Sequence, residues 1–379
     1  MPLGLYLHFP FCTNKCAYCD FYKELHNKQA ESRYFESLKL ETDLAFDQLG
    51  LDHPEIDSIY IGGGTPSLAG LDHLEDWLAQ LRTKARISSD CEFSLECNPE
   101  SVTREKFEGL QALGVTRPVI GIQSFDAKLL RRLDRKHKVE QSHQAVYLAG
   151  ALGFKSFGVD LIFGLPGQTS RLLSADLDTL VDLDPPHVSY YQLTVEEGTP
   201  LSARIRAGKI RLPENELMLA MYSAGVERLE EAEIKRYEVS SFAREGEECQ
   251  HNLKYWTGED YLGLGPGAHS FISGERFAVV ADIAEYNRAL AEGHWPIEKD
   301  ESARHERIEE AVLLGLRMTA GITNDDFVAR FGVPLTDCLK QDQLNLFEES
   351  GHLELHDTGL RLTHEGMLVA DEIIRRLLK

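Results

Sequence analysis

Tyr6-Leu-His-Phe-Pro-Phe-Cys12-Thr-Asn-Lys-Cys16-Ala-Tyr18-Cys19-Asp20-Phe21 is the stretch from which the rest of this 379-residue chain can be read. It sets three cysteines in a C-x3-C-x2-C spacing just after an apolar run, residues 3–8, that reads as a β-strand. Three thiolates on one short loop favour a soft metal centre, an iron–sulfur cluster or zinc. A structural zinc site is closed by four ligands, and His8 is the candidate for the fourth, although this spacing is unusual for zinc. A [4Fe–4S] cube held by Cys12, Cys16 and Cys19 alone keeps one iron open. An open iron can take the amino and carboxylate groups of S-adenosylmethionine.

Downstream of that loop, strand-like runs recur at 58–61, 93–96, 118–122, 157–162 and 188–193. Helical spacing fills 33–49, 72–81, 104–113 and 142–152 between them. The interval, mostly about 30 to 40 residues, is that of a βα unit, and six units predict an α/β fold on a parallel sheet. After residue 212 the rhythm changes. A helix over 214–232 and a strand over 234–241 precede a loop-rich stretch, 242–298, dense in glycine, histidine and aromatics. Residues 299–379 read as a separate helical module with a hairpin, 353–355 and 360–362, and a helix from His364 to the end. The expected domains are therefore 1–212, 213–298 and 299–379.

Charge narrows the partners. Lys and Arg number 40 against 62 Asp and Glu, a net charge of −22, which argues against nucleic acid as a partner. Over 301–379 the count is 9 basic to 15 acidic, so a winged-helix shape there would not imply DNA binding. No run of about 18 apolar residues predicts a transmembrane segment. The first residues have neither a basic start nor a small-residue cleavage site, so no secretory signal is expected. An odd cysteine count, seven, points to the reducing cytoplasm. Cys91, Cys97, Cys249 and Cys338 have no partner spacing and read as packing residues or inert thiols.

Chemistry-bearing residues fall at the ends of the predicted strands. Gly62-Gly-Gly-Thr65-Pro66 follows the second, where glycines let backbone N–H groups come close to a ligand, or simply make a tight turn. Glu96 ends the third, Gln123 the fourth, and Asp160 opens the fifth's Asp-Leu-Ile-Phe-Gly-Leu-Pro-Gly. Each alone could be a satisfied turn residue. Together they occupy the C-terminal strand ends where α/β barrels build their sites. Glu96 can take an ammonium, Asp160 an ammonium or ribose hydroxyls, Gln123 can donate and accept, and Arg135 can hold a carboxylate or make a surface salt bridge.

With these motifs in place, the chain resembles the radical S-adenosylmethionine superfamily, in its oxygen-independent coproporphyrinogen III oxidase-like branch, from about residue 3 through 271 and more weakly beyond. The resemblance implies a partial (β/α)6 TIM-like barrel with a small mixed extension and a C-terminal winged-helix-like module. It implies that Tyr6, Gly63 and Glu96 serve the cluster-bound S-adenosylmethionine, and that Tyr18, Gly64, Thr65, Gln123, Arg135 and Asp160 line an adjoining second position. The oxidases carry a fourth cysteine two residues after the third, where this chain has Phe21, and a long arm before the cluster, where it has 11 residues. Cys19-Asp20-Phe21 is instead what the HemW-type heme chaperones carry, as are His251-Asn-Leu-Lys-Tyr255-Trp256 and Gly263-Leu-Gly-Pro-Gly-Ala-His269. The resemblance implies heme as ligand, a heme-acceptor protein and an electron donor as partners, and no assigned catalytic residue; the oxidase is the alternative. His251 is a candidate heme contact, or else a hydrogen-bonded histidine that positions the Trp, and His269 reads more as a turn residue than a ligand. Thr116-Arg117-Pro118 and Ser240-Ser241-Phe242 depart from the usual residues of these chaperones and read as drift.

Overall fold

The computed structural model describes residues 2–300 and 302–378. The six expected strands are β1 (Leu3–Phe9), β2 (Glu55–Gly63), β3 (Arg86–Cys97), β4 (Arg117–Gln123), β5 (Gly158–Phe163) and β6 (His187–Gln192). Each pairs in parallel with the next. A parallel strand is covered on both faces, which explains why β1 is almost wholly apolar and buries all of its residues but Tyr6. Side-chain caps set the intervening helices. Asn27 accepts from the Ala30 N–H to start helix Lys28–Gln48, and Thr103 accepts from Lys106 to start Arg104–Leu113.

The stretch 242–298, expected to be loop-rich, is instead mostly regular structure. It holds helix Gln250–Thr257, β7 (Tyr261–Leu264), strands His269–Ile272 and Glu275–Val279, helix Ile283–Ala291 and strand Ile297–Lys299. β7 pairs in parallel with the outer edge of β1, Gly4 opposite Tyr261, so among the described residues the parallel run of this sheet has seven strands rather than six. The glycines there mark close chain approach rather than looseness. A Cβ on Gly263 would lie 2.1 Å from the His269 carbonyl oxygen. The strand expected over 234–241 splits into Lys235–Arg236 and Ser241–Ala243, paired antiparallel across a turn.

All of these strands make one sheet of twelve, from Ile297–Lys299 at one end to Lys235–Arg236 at the other. In a flat sheet the ends of β2 and β6 would stand roughly 19 Å apart. Gly63 of β2 and Gln192 of β6 border the same cavity, so the sheet curls around its C-terminal ends. One hydrophobic cluster runs from Leu3 to Trp295, and a second, from Val312 to Leu377, belongs to the C-terminal module. That module sets antiparallel strands Ile322–Thr323, Leu353–His356 and Gly359–Leu362 among short helices. Its last helix, expected to be continuous from His364, is two pieces, His364–Met367 and Ala370–Leu377, parted where Val369 leaves helical geometry. Among the described residues no helix is long and apolar enough to cross a membrane.

Candidate functional site

The cysteine loop leaves β1 and is pinned at its neck. Phe11–Cys12 pairs in parallel with Glu24–Leu25, and the His26 N–H donates to the Cys12 carbonyl at 2.9 Å. Its far side is stitched to the helix-loop after β4. Ala17 N–H donates to the Leu133 carbonyl at 3.1 Å, and Asn14 Nδ2 to that of Asp134 at 2.7 Å. Cys12, Cys16 and Cys19 all line one cavity of about 390 Å³. Burial pushes the Cys12 thiol up, against a 3.5 Å hydrogen bond from Thr65 Oγ1. Burial does the same to Cys16, opposed by Arg135, whose Nη1 lies 3.9 Å from its sulfur.

The glycine turn after β2 lies directly on this loop. The Gly64 N–H donates to the Phe9 carbonyl at 2.8 Å and the Thr65 N–H to the Phe11 carbonyl at 2.8 Å. A Cβ on Gly64 would fall 2.5 Å from the Phe11 oxygen, so only glycine permits the contact. The Gly63 N–H goes to Glu96 Oε2 at 3.2 Å. The N–H groups of Gly63, Gly64 and Thr65 are therefore all hydrogen-bonded within the protein, as in the tight-turn alternative for this motif.

Strand ends complete the wall. Glu96 accepts from Tyr60 Oη at 3.0 Å as well as from Gly63. Burial, then the nearby Asp160 charge, pushes its carboxyl up to about 8. Burial raises Asp160 to about 6, held from going higher by Ser189, Arg117 and Arg135. Gln123 sits at φ 71°, in the left-handed region that costs a non-glycine residue of order 1–3 kcal/mol, where a bulge interrupts the β4–β5 pairing. Arg135 donates through Nη2 to Asn98 Oδ1 at 2.8 Å and to the Gly121 carbonyl, while its buried Nε has no partner. Two carboxylates and a guanidinium on one cavity suit a ligand that carries both charges.

Eleven of the expected residues thus come together: Cys12, Cys16, Cys19, Tyr18, Gly63, Gly64, Thr65, Glu96, Gln123, Arg135 and Asp160. Tyr6 and His251 do not border the cavity. Tyr6 donates to His8 Nδ1 at 3.1 Å and stacks on Tyr60 at 6.3 Å. His8 Nε2 donates to the Tyr22 carbonyl at 2.9 Å, so both its ring nitrogens are engaged and it supplies no fourth metal ligand. His251 is 0% exposed, with Nδ1 on Ser58 Oγ at 3.0 Å and Nε2 on Tyr255 Oη at 2.9 Å. It stacks behind Tyr60 at 5.5 Å, and burial holds its pKa down to about 3. Its partners are Ser58, Tyr255 and Tyr60, not the Trp256 it was expected to position. Sequence reasoning missed Tyr60 and Asn98. Tyr60 was findable as the inward residue three before Gly63, and Asn98 follows Glu96 by two.

Fold and site together define a radical S-adenosylmethionine protein: the model of the Radical SAM superfamily matches residues 6–209, and that of the HemN C-terminal domain residues 303–369. The chain is 35% identical to a Bacillus subtilis protein named heme chaperone HemW, over 97% of each chain. It is 36% identical to a Mycobacterium tuberculosis protein of that name, over 100% of this chain and 95% of the other. The chain belongs to the heme chaperone HemW family within that superfamily. Among solved structures it resembles coproporphyrinogen III oxidase HemN from Escherichia coli, with a TM-score of 0.85, covering 99% of this chain and 89% of that one at 22% identity. At that identity the likeness carries the fold alone.

Membership of the superfamily brings a [4Fe–4S] cluster and S-adenosylmethionine. The residues fit both. Among the described residues no three Cys, His, Asp or Glu side chains close on one point, as ligands of a single ion must. The three thiols line one cavity together with the Glu96 and Asp160 carboxylates and the Arg135 guanidinium, and those charges suit a zwitterion.

Proposed function

We propose that the protein binds heme, together with a [4Fe–4S] cluster and S-adenosylmethionine, and transfers the heme to an acceptor protein. Phe21 is the observation that carries the reading. It stands where an oxidase would have a fourth cysteine, and its ring is 61% exposed beside the cluster cavity. Full-length similarity to proteins named heme chaperone supports the same conclusion, and the oxidase alternative loses its ground at that position.

In this reading Cys12, Cys16 and Cys19 hold the cube. Glu96 and Gly63 meet the cluster-bound S-adenosylmethionine, with Tyr6 acting through its stack on Tyr60. Tyr18, Gly64, Thr65, Gln123, Arg135 and Asp160 line the adjoining position. When bound, the cluster supplies the electron that can cleave the sulfonium bond, and an electron donor must renew it. The 1–212 core, the 213–298 extension and the 299–379 module are the working parts. The cytoplasm is the proposed location, on the odd cysteine count of seven.

The test is anaerobic reconstitution followed by heme addition, with spectrum, mass and transfer to an apo-cytochrome recorded. Stoichiometric heme that moves to the acceptor is expected; no stoichiometric heme binding rejects the reading. Protoporphyrinogen formed from coproporphyrinogen III and S-adenosylmethionine would restore the oxidase. Cys16→Ser should lose the cluster, because a hydroxyl is a poor substitute for thiolate.

A further inference from the structure

Asn98 lines the cluster cavity, and both ends of its amide are engaged there. Its Oδ1 accepts from Arg135 Nη2 at 2.8 Å, and its Nδ2 donates to Thr65 Oγ1 at 3.0 Å. Each partner passes on to a cysteine. Thr65 Oγ1 donates to Cys12 Sγ at 3.5 Å, and Arg135 Nη1 donates to Cys16 Sγ at 3.9 Å. Among the described residues these are the two hydrogen bonds that reach the sulfurs of Cys12, Cys16 and Cys19. Both donors are therefore held by the same asparagine.

The chemistry of these groups fixes the direction of the chain of bonds. A guanidinium only donates, so the amide turns its oxygen to Arg135 and its NH2 to Thr65. Thr65 Oγ1 accepts from that NH2, which leaves its own hydrogen for the cysteine sulfur. The asparagine has little room to move. Its N–H donates to Ser67 Oγ at 3.3 Å, and its carbonyl accepts from the Ser101 N–H at 2.9 Å and Ser101 Oγ at 2.7 Å. Pro99 follows it and favours the extended backbone found there, φ −90° and ψ 139°. Arg135 is held a second time, by the Gly121 carbonyl. Hydrogen bonds to the sulfurs of an iron–sulfur cluster draw off negative charge, which favours the reduced state and raises the potential. We infer that Asn98 is a positioning residue that sets the cluster's reduction potential, by aiming Thr65 at Cys12 and Arg135 at Cys16. The inference rests on ligation by the three cysteines, as proposed above, and adds the residue that tunes it.

The test is a redox titration of full-length, cluster-loaded protein without S-adenosylmethionine. Electron paramagnetic resonance reads the reduced cluster, and iron is counted on the same sample. Asn98→Leu keeps most of the side chain's bulk and removes both hydrogen-bonding ends. Its iron should stay at the wild-type level. At the wild type's midpoint, its ratio of reduced to oxidised cluster should fall about fivefold, the order of one hydrogen bond. Thr65→Val should lower the ratio in the same direction. Asn98→Leu should then lower it less in the Thr65→Val protein than in wild type, because one of its two routes is already gone. A side chain that merely fills space would leave the midpoint where it was, so an unchanged ratio at full iron overturns the proposal. An equal loss in both backgrounds also overturns it, because Asn98 would then not act through Thr65. If Asn98→Leu takes up little iron, Asn98→Asp carries the test. It keeps the acceptor for Arg135 but draws the Thr65 hydrogen away from Cys12, and the same two backgrounds separate that effect from its added charge. Depleted iron in both Asn98 variants overturns the proposal, by making Asn98 a scaffold for the cysteine loop. Wild type that takes up no cluster rejects the ligation itself, and the inference with it.

Discussion

The Tyr60 hydroxyl donates to Glu96 Oε1 at 3.0 Å, and the same ring stacks on His251 at 5.5 Å. His251 in turn holds Ser58 and Tyr255. Tyr255 borders the cleft between helix Gln250–Thr257 and the C-terminal module, and Glu96 the cluster cavity, so one buried chain of contacts runs between the two. The helix that carries His251 is anchored at its start by Glu92, which accepts from the N–H groups of Gln250 at 3.0 Å and His251 at 3.1 Å.

The raised pKa of Glu96 gives S-adenosylmethionine binding a pH dependence. At about 8, most of the carboxyl is protonated at neutral pH, and an incoming ammonium must displace that proton. Affinity should therefore rise with pH and level off above about 8. Tyr60→Phe removes a donor that favours the charged form, so the rise should shift to higher pH. Glu96→Gln should flatten the profile and weaken binding by about tenfold, while iron stays bound. Calorimetric titration across this range is the check, and a flat wild-type profile would remove Glu96 from the ammonium site.

His251→Ala should act on stability rather than on heme ligation. It strips partners from two hydroxyls, Ser58 Oγ and Tyr255 Oη, inside a buried cluster. The expected loss is about 2–4 kcal/mol in a urea melt. The Soret position of bound heme should not move. A shifted Soret band with an unchanged melt would make His251 an axial ligand instead.

Much of this was legible in the chain, and the failures have a common cause. Strands buried on both faces write themselves as apolar runs, which is why β1 and β4 could be read and why only the buried end of β3 was. The cysteine spacing and the strand-end Glu96 and Asp160 were equally plain. What could not be read depended on tertiary approach. Gly263 permits a strand contact with His269, yet a local reading takes such glycines for loop. Arg117, read as drift, is 3% exposed and its charge holds the pKa of Asp160 down against burial, a relation that exists only once β4 and β5 are side by side.

Glu41 should make stability pH-dependent. Fully buried in helix Lys28–Gln48, it accepts from Tyr286 Oη at 2.7 Å, the Gly265 N–H at 2.7 Å and Trp295 Nε1 at 3.0 Å, tying the extension to the core. Burial lifts its pKa from 4.5 to about 7, against those three donors. The folded state thus holds the proton more tightly than the unfolded chain does. Its proton-linked stabilisation is full below about pH 4.5 and is lost as pH rises through about 7. Glu41→Ala should remove this slope between those values and cost about 2–4 kcal/mol from stranded donors. Urea melts at several pH values decide it; an unchanged slope would assign the effect to other carboxyls.

Gly64→Ala tests whether the glycine turn serves the cysteines or the ligand. The added methyl would meet Phe11 backbone atoms at 2.5 Å and 2.8 Å, and backbone, unlike a flexible side-chain tip, cannot rotate away. The strand Phe11–Cys12 must then shift, and the Thr65 bonds to the Phe11 carbonyl and the Cys12 sulfur go with it. Cluster ligation depends on where Cys12 points, so iron content after anaerobic reconstitution should fall severalfold. Far-UV circular dichroism should stay near wild type, because the seven parallel strands lie outside the contact. If the turn served the ligand alone, iron would be retained and only S-adenosylmethionine affinity would drop, and iron analysis beside calorimetry on one sample separates the two.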